Sequence, residues 1–408
     1  MEDFAALIAS AEFEQRARHP EFPNAFRRKR RLPLPALVSA LLSMRAGSQQ
    51  AMLDGFFGSL GDAPAVSDRA FAKARSHLHM PALTWLNDQL IQRCEAAKLI
   101  PRWHGLRVVA GDASVLMPAV RRCPRTRNLA EPDQRLFALF LPGIELTLHA
   151  SVHSADESER AMLVQALDKL GPNDVLVLDR GYPASWLVNL LIERNIKFVI
   201  RCDFGDAGWS SAREFMRSGQ QQASVQLSAP SAADARDWQC SRNAPTVRLV
   251  RQVAPNGNVR LLMTNIEQQT VAHEAFGELY HQRWRIEEAF KRLKHRMHLE
   301  AVSGLSQHAL IIDVAAKVLA DNIAALLCHS AAAEHDLSAC QRKCNRSFAA
   351  KTIQRALPAI LLGIGNLMRS IADLMHRLAR ATQRVVPKRS RPRPARRPKP
   401  HPNLAYKG

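Results

Sequence analysis

The spacing of apolar residues changes twice along the chain. Residues 1–100 carry apolar positions at helical spacing, as in "LPLPALVSALLSM", and predict a helical region. From about residue 104, short apolar runs and period-two alternation predict strands, which alternate with helical segments as far as residue 204. Helical spacing dominates again from residue 272 to about residue 383. We therefore predict an α/β core flanked by helical N-terminal and C-terminal regions.

Two aspartates end predicted strands of the central region. "LRVVAGDASVLM" predicts a strand that ends near Asp112, and "DVLVLDRGY" predicts a buried strand that ends at Asp179. Between them, "RLFALFLP" and "IELTLHASVH" predict an antiparallel pair that turns around Pro142–Gly143. Residues 205–261 are rich in Ser, Gln, Ala and Asn and contain three short strand candidates, "ASVQLSA", "TVRLVRQVA" and "NVRLLMTNI". This segment predicts a β-rich insertion between two parts of the core.

The charge of the chain indicates a polyanionic partner. The net charge is +20 and the pI is near 10.4, so nucleic acid is the first candidate and a membrane surface is the second. Cations are concentrated in the block Arg27–Arg31 and in residues 384–408. In the latter segment, prolines alternate with cations and no acid occurs, which predicts a disordered basic tail.

A basic segment near residue 70 is a candidate DNA-reading helix. "SDRAFAKARSHL" begins with a good cap, Ser67, and predicts a helix with Arg69, Lys73 and Arg75 on its surface. Such a helix could be the second helix of a helix-turn-helix reader. An ordinary amphipathic helix is an equally good explanation.

Several features of the sequence favour the cytoplasm. The start, "MEDFAALIASAEFEQ", is acidic and lacks the cationic n-region of a signal peptide. The longest apolar stretch contains Asp313, Lys317 and Asp321, which predicts a soluble helix rather than a membrane span. Seven cysteines without a framework spacing predict free thiols in a reducing compartment.

The segment "YHQRWRIEEAFKRLK", residues 280–294, predicts a helix with mixed charges. Tyr280, Arg283, Glu287 and Lys294 fall within about 60° of arc around its axis, and Lys291 lies beside them. Ion pairs on a solvated face, such as Arg283 with Glu287, would explain this stripe if it stood alone.

Three carboxylates considered together favour a catalytic interpretation. A single Asp at a strand end is often a turn former. Two strand-end aspartates, Asp112 and Asp179, and a glutamate on a following helix, Glu287, can nevertheless converge at one edge of an α/β sheet. Carboxylate oxygens are preferred ligands of Mg²⁺, and two such ions about 4 Å apart can activate a nucleophile and stabilise a leaving oxygen in phosphoryl transfer. The Tyr, Arg and Lys beside the glutamate would then contact DNA phosphates.

Three motifs resemble those of a known family. "GDAS" at residues 111–114, "LDRGY" at residues 178–182, and the spacing Tyr280-x2-Arg283-x3-Glu287-x6-Lys294 resemble the DDE transposases of insertion sequences. The last pattern is similar to the YREK signature of the fourth insertion-sequence family. The resemblance extends from about residue 67 to the C-terminus and is weakest in the insertion.

The resemblance implies a ribonuclease-H-like fold with a β-rich insertion between the second Asp and the Glu. Asp112, Asp179 and Glu287 then match the metal-binding catalytic triad, holding two Mg²⁺ ions, with Mn²⁺ as a possible substitute. Tyr280, Arg283 and Lys294 match the residues that contact phosphate, to which we add the neighbouring Lys291. In relatives, an aromatic side chain of the insertion stacks on a flipped base, and either Trp209 or Trp238 would be the candidate unless both are core residues.

The activity implied by the resemblance is cut-and-paste transposition. The expected partners are double-stranded DNA with terminal inverted repeats and target DNA, bound by a homodimer in the synaptic complex, with no membrane involved. The expected location is the bacterial cytoplasm, in association with the nucleoid. Two alternatives stay open: a catalytically silent or domesticated DNA-binding protein, and a nuclease of the same fold that cuts without joining.

The predicted organisation combines a ribonuclease-H-like α/β core with helical flanks. In chain order it consists of a helical, DNA-end-binding region (1–100), the first part of the core (101–204), the β-rich insertion (205–261), the second part of the core with the YREK helix (262–335), a helical C-terminal region (336–383) and the disordered basic tail (384–408).

Overall fold

The computed structural model describes residues 1–27, 31–44, 46–61, 66–118, 133–205, 208–253 and 257–386. The middle of the basic block Arg27–Arg31 and nearly all of the predicted basic tail lie outside these residues. The chain divides into two compact units. The first comprises residues 1–93, 115–134 and 291–408, and the second comprises residues 94–114 and 135–290. The domain boundaries predicted from the sequence stay predictions.

The first unit is mainly helical. Its N-terminal part contains α1 (Glu2–Ile8), α2 (Ala11–Ala17), α3 (Leu34–Ser43), α4 (Gln49–Ser59), α5 (Asp68–Ser76) and most of α6 (Met80–Ala96). The helical prediction for this region is therefore confirmed for the described residues. The Ser67 hydroxyl caps α5 by accepting a hydrogen bond from the Ala70 N–H at 3.2 Å, also as predicted. The predicted exposure of Arg75 is wrong, because its guanidinium is buried and donates to the Ser303 hydroxyl.

Long helices continue the first unit after residue 306. They are α13 (Gln307–Glu334), α14 (Arg346–Leu361) and α15 (Leu367–Arg380), and a short strand β10 (Arg342–Cys344) pairs antiparallel with β11 (Thr382–Arg384). The charges of α13 are buried and paired, as burial of a charge requires: Asp321 accepts from Arg292 at 3.0 Å, and Lys317 donates to the His298 carbonyl at 2.8 Å. No helix in the described part of the chain is long and apolar enough to cross a membrane.

The second unit is built on a sheet with nine strands among the described residues. They are β1 (Arg102–Trp103), β2 (Leu106–Leu116), β3 (Gln134–Leu141), β4 (Leu146–Ser154), β5 (Asp174–Leu178), β6 (Lys197–Cys202), β7 (Gln222–Gln226), β8 (Thr246–Val253) and β9 (Val259–Thr264). The order across the sheet is β4-β3-β2-β5-β6-β9-β8-β7, and β1 pairs with β2. β2, β5 and β6 run parallel, whereas β6 to β9, β9 to β8 and β8 to β7 are antiparallel.

The sequence pattern explains the central strands. Every residue of β5 is buried, as its uninterrupted apolar run predicts for a strand covered on both faces. Gly111 of β2 has no side chain where the neighbouring strand comes close, since a Cβ there would lie 2.8 Å from Cδ2 of Leu178. The three strands predicted in the insertion are confirmed as β7, β8 and β9, and they extend the same sheet beyond β6.

Helices cover the sheet and carry part of the candidate site. They are α7 (Glu159–Gln165), a 3₁₀ turn (Leu167–Lys169), α8 (Ser185–Glu193), α9 (Ser210–Ser218), α10 (Ala232–Asp237), α11 (Ala275–Gln282) and α12 (Trp284–His295), of which the residues up to Phe290 belong to this unit. Phe276, Leu279 and Tyr280 of α11 pack in one apolar cluster with valines of β2, β5 and β6. This packing fixes α11 against the parallel part of the sheet.

Candidate active site

Asp112 lies on β2, just beyond its parallel pairing with β5. The paired residues run from Arg107 with Asp174 to Ala110 with Val177, so Asp112 follows the last pair by two positions. The predicted strand end near Asp112 is wrong. β2 continues to Leu116, because it also pairs with β3 on its other side. The Asp112 carboxylate is mostly buried, and its Oδ1 accepts a hydrogen bond from the Ala113 N–H at 2.9 Å.

Asp179 follows immediately after β5, at the same end of the parallel pair. The "DRGY" turn begins here, and the Gly181 N–H donates to Asp179 Oδ1 at 2.7 Å. Because β2 and β5 are neighbouring parallel strands, their carboxyl ends meet at one edge of the sheet. The two predicted aspartates are therefore brought together.

Arg283 connects the first aspartate to the predicted glutamate. Its Nη1 donates to Asp112 Oδ2 at 3.3 Å, and its Nη2 donates to Glu287 Oε1 at 2.8 Å. The buried Tyr280 lies near Arg283, whose positive charge opposes the rise in the Tyr280 pKa that burial causes. One buried guanidinium thus joins Asp112 to Glu287, and all three residues were predicted from the sequence.

The helix that supplies these residues is interrupted at Arg283. The sequence predicts one helix over residues 280–294, but α11 ends at Gln282 and α12 begins at Trp284. The Arg283 N–H bonds to the Tyr280 carbonyl three residues back, and the Ile286 N–H bonds to the Arg283 carbonyl in the same way. This tighter turn, of the 3₁₀ kind, keeps Tyr280, Arg283 and Glu287 on one side of the chain.

Burial and repulsion between neighbouring carboxylates raise the pKa values of two acidic residues of the site. Burial raises the pKa of Asp112 to about 7; Arg283 opposes this shift, whereas Asp179 and Glu159 add to it. Burial and Asp179 also raise the pKa of Glu159, although Arg135 counteracts them. The site therefore concentrates negative charge in a partly water-excluded place, where a cation is strongly stabilised.

Glu159, Arg135 and Tyr182 belong to this site but were not predicted from the sequence. Arg135 donates to Glu159 Oε1 at 3.1 Å and to the Ala155 carbonyl at 3.1 Å. The only sequence signal for Glu159 is its position after the cap Ser158, which is also what an ordinary helix start would show. Tyr182 is the last residue of the quoted "LDRGY" motif, to which no role was assigned.

The predicted phosphate contacts Lys291 and Lys294 lie on the part of α12 that belongs to the first unit. Within that unit, the Lys294 ammonium donates to the Val115 carbonyl and lies 3.8 Å from Glu300 Oε1. Their contact with DNA stays a prediction.

The two tryptophans considered for base stacking have different surroundings. Trp238 follows α10 and stacks on Trp186 of α8, with ring centroids 4.3 Å apart and ring planes inclined by 4°. This stacking favours a structural role for Trp238. Trp209 is the N-cap residue of α9 and is half-buried.

The chemistry of the site fits a divalent cation, which the resemblance implies. All its donors are carboxylate oxygens, the kind that Mg²⁺ prefers. Asp112 and Glu287 already bind one positive charge, the guanidinium of Arg283. Among the residues that the structure describes, no three His, Cys, Asp or Glu side chains are yet gathered closely enough to hold an ion. An ion would therefore have to draw the carboxylates together.

Known proteins match the part of the chain that carries this site. A family model described as a transposase DDE domain matches residues 124–323, a range that includes Asp179 and Glu287. The transposase InsG for insertion sequence element IS4, from Escherichia coli (strain K12), is 24% identical over 303 residues, which cover 70% of this chain and 67% of the relative. Together with the motifs around Asp112, Asp179 and Glu287, these matches support a DDE transposase of the insertion sequence IS4 type.

Proposed function

We propose that this transposase cuts DNA at the ends of its element and joins the freed ends to target DNA, with divalent metal ions held by Asp112, Asp179 and Glu287. The observation that carries the proposal is the meeting of Asp112 and Asp179 at one edge of the parallel strands, with Arg283 linking Asp112 to Glu287. Carboxylates arranged in this way have no evident structural purpose, because their repulsion costs stability.

We also assign the sheet to a ribonuclease-H-like core with an insertion. Support comes from the order β4-β3-β2-β5-β6. In this order β2, the first long strand, has β3 and β4 on one side and the parallel strands β5 and β6 on the other. The first carboxylate lies on β2, the second follows β5, and the third lies on the helix that comes after the extra strands β7, β8 and β9. This is the chain order that the resemblance implies.

The proposed chemistry is in-line displacement at phosphorus. Divalent ions at the carboxylates, when bound, activate the attacking oxygen and stabilise the leaving oxygen. In the first step, water attacks a phosphorus atom at the element end, the bond from phosphorus to the 3′ oxygen breaks, and the strand leaves with a free 3′-hydroxyl. In the joining step, that hydroxyl attacks a phosphorus atom of target DNA and releases a target strand end. Between these steps we propose a hairpin: the 3′-hydroxyl attacks a phosphorus atom of the opposite strand and releases the flanking DNA. A second water then breaks the new bond and restores the 3′-hydroxyl before joining.

Arg283 has a role in this scheme as an exchangeable counter-ion. Without metal or DNA, it neutralises part of the charge of Asp112 and Glu287. When cations bind these carboxylates, the guanidinium is released to bind a DNA phosphate, for which its planar fork is well suited. Tyr280 is buried next to the same guanidinium and is proposed to help position it. Lys291 and Lys294 are proposed as further phosphate contacts.

The charge of the chain supports the proposed partners. A net charge of +20 suits double-stranded DNA, both the terminal inverted repeats and the target. We assign end recognition to residues 1–100, where Arg69 and Lys73 of α5 are exposed. Pairing of two element ends calls for a homodimer. The proposed location is the cytoplasm, on the nucleoid.

Cleavage of end-containing DNA tests the proposal. The purified protein is incubated with DNA that carries the inverted repeats flanking its gene, in Mg²⁺ or in EDTA. We expect nicking at the repeat boundary in Mg²⁺ only, and none with Glu287→Gln, because the variant cannot supply the third carboxylate. Glu288→Gln is the matched control, since Glu288 is the adjacent glutamate and is exposed; it should cut like the unchanged protein.

The same experiment separates the alternatives. Cutting by Glu287→Gln would contradict the triad. Boundary nicks without joined products in the presence of target DNA would indicate a nuclease. Tight, repeat-specific binding without cutting in any condition would indicate a catalytically silent DNA-binding protein.

A further inference from the structure

Glu159 presents one carboxylate oxygen to the catalytic edge of the sheet. Arg135 occupies its Oε1 at 3.1 Å. Its Oε2 points the other way, towards the "DRGY" turn, where a Cβ built on Gly181 would lie 3.8 Å from Glu159 Oε2 and 3.1 Å from Asp179 Oδ1. Oxygens of Glu159 and Asp179 therefore converge on the same side of Gly181, and a side chain at that position would come between them.

Tyr182 supplies an independent sign that a ligand binds here. Its side chain is completely buried, and its hydroxyl has no hydrogen-bond partner among the described residues. The hydroxyl also lies within electrostatic range of Asp112, Glu159 and Asp179, which, after burial, raise its pKa well above its ordinary value. It is thus a buried hydroxyl near these carboxylates that has no acceptor among the described residues. Buried donors are almost always satisfied, so an acceptor is expected to arrive with a ligand.

The charge balance identifies the class of ligand. The site has four carboxylates, those of Asp112, Asp179, Glu159 and Glu287. Two guanidinium groups offset part of their charge: Arg283 contacts Asp112 and Glu287, and Arg135 contacts Glu159. With all four carboxylates ionised, two negative charges stay uncompensated. One divalent cation neutralises this excess, and its bound water or phosphate oxygen would be the acceptor that the Tyr182 hydroxyl lacks.

We propose that Glu159 is a fourth carboxylate of the catalytic centre, which binds a divalent cation together with Asp112 and Asp179, and that the Tyr182 hydroxyl donates to an oxygen bound with that cation. The inference rests on the proposed function, since it adds a ligand to the metal centre assigned there. Arg135 is a positioning residue that leaves Glu159 Oε2 available for the ion.

Binding of Mn²⁺ to the full-length protein tests the proposal without DNA or turnover. The protein is freed of metal with EDTA, dialysed and titrated with Mn²⁺, and the electron paramagnetic resonance signal of free Mn²⁺ gives the Kd. We expect Glu159→Gln to weaken binding about tenfold or more, as loss of a ligand does. Asp156→Asn is the matched control, because it removes one exposed carboxylate from the loop just before α7 and should leave the Kd unchanged.

A second variant tests the role of Tyr182. Tyr182→Phe removes a hydroxyl that is unsatisfied without metal, so the melting temperature in EDTA should stay the same or rise. With saturating Mn²⁺, the increase in melting temperature should be smaller than in the unchanged protein. A residue that only fills the core would change the melting temperature by the same amount in both conditions, and that result would remove Tyr182 from the site.

Asp179→Asn separates this inference from the proposed function. If Asp179→Asn weakens Mn²⁺ binding whereas Glu159→Gln binds like the unchanged protein, the metal centre stands and the role of Glu159 is refuted. If the unchanged protein binds no Mn²⁺, or if Asp179→Asn has no effect, the metal centre itself is refuted, and the role of Glu159 with it. Melting curves in EDTA show that each variant is folded before its Kd is compared.

Discussion

Arg283 donates to Asp112 and Glu287 and is itself buried. Without a positive charge beside it, either ionised carboxylate in this partly buried site would lower the free energy of unfolding. A single side chain therefore compensates both Asp112 and Glu287 in the metal-free site. Metal binding should also change the contacts of Arg283, because a cation and the guanidinium would compete for the same carboxylate oxygens.

Arg283→Gln should destabilise the metal-free protein and increase its response to metal. Loss of the buried guanidinium leaves Asp112 and Glu287 uncompensated, and we expect the free energy of unfolding in EDTA to fall by about 3 kcal/mol. Saturating Mn²⁺ should recover more stability in the variant than in the unchanged protein, because the ion replaces the missing charge. Urea unfolding with and without Mn²⁺ measures both quantities. An equal gain in the two proteins would contradict the counter-ion role of Arg283.

Single residues of the site differ in how far the sequence could predict them. Asp112, Asp179 and Glu287 stand in spaced motifs, so the sequence indicates them. Glu159 does not stand out, because a glutamate in the first turn of a helix is common for purely local electrostatic reasons. Arg75 was placed on the wrong side of its helix, since the Ser303 hydroxyl that it contacts is far away in the sequence. Long-range partners of this kind leave no local pattern.

At the scale of secondary-structure elements, the sequence predicts which segments form strands better than it predicts where those strands end. The uninterrupted apolar run of β5 and the three strands of the insertion are evident from residue pattern alone. The continuation of β2 to Leu116 depends on pairing with β3, which the pattern of β2 does not reveal. The interruption between α11 and α12 is equally invisible, because every residue around Arg283 tolerates helical geometry. Tertiary contacts decide such ends.

The close approach of β2 and β5 gives a prediction at this scale. Gly111→Ala would place a Cβ 2.8 Å from Leu178 Cδ2, so the buried leucine must move. We expect a loss of about 1–3 kcal/mol in the free energy of unfolding, as overpacked cores show. Combining it with Leu178→Val should give less than the sum of the two single effects. Gly171→Ala is the control, because a Cβ there meets nothing within 4 Å; additive effects would contradict the contact.

At the scale of the whole molecule, charge is distributed very unevenly along the chain. Eight Lys and Arg residues and no acids follow residue 386, so this segment accounts for +8 of the net charge of +20. The proposed catalytic site, by contrast, includes four carboxylates, those of Asp112, Asp179, Glu287 and Glu159. We therefore expect affinity for DNA and chemistry on DNA to depend on different parts of the sequence, so that removal of one leaves the other measurable.

Truncation after residue 386 tests this separation. Each phosphate contact releases counter-ions, so the slope of log K against log salt should become shallower by up to about 7 when eight cations are removed. The effect should be the same on DNA with and without the inverted repeats, since contacts to phosphates carry no sequence information. Mg²⁺-dependent nicking at saturating DNA should persist, because Asp112, Asp179 and Glu287 are unchanged. Fluorescence anisotropy at several salt concentrations gives the slope, and loss of nicking at saturating DNA would show that the basic segment takes part in the chemistry.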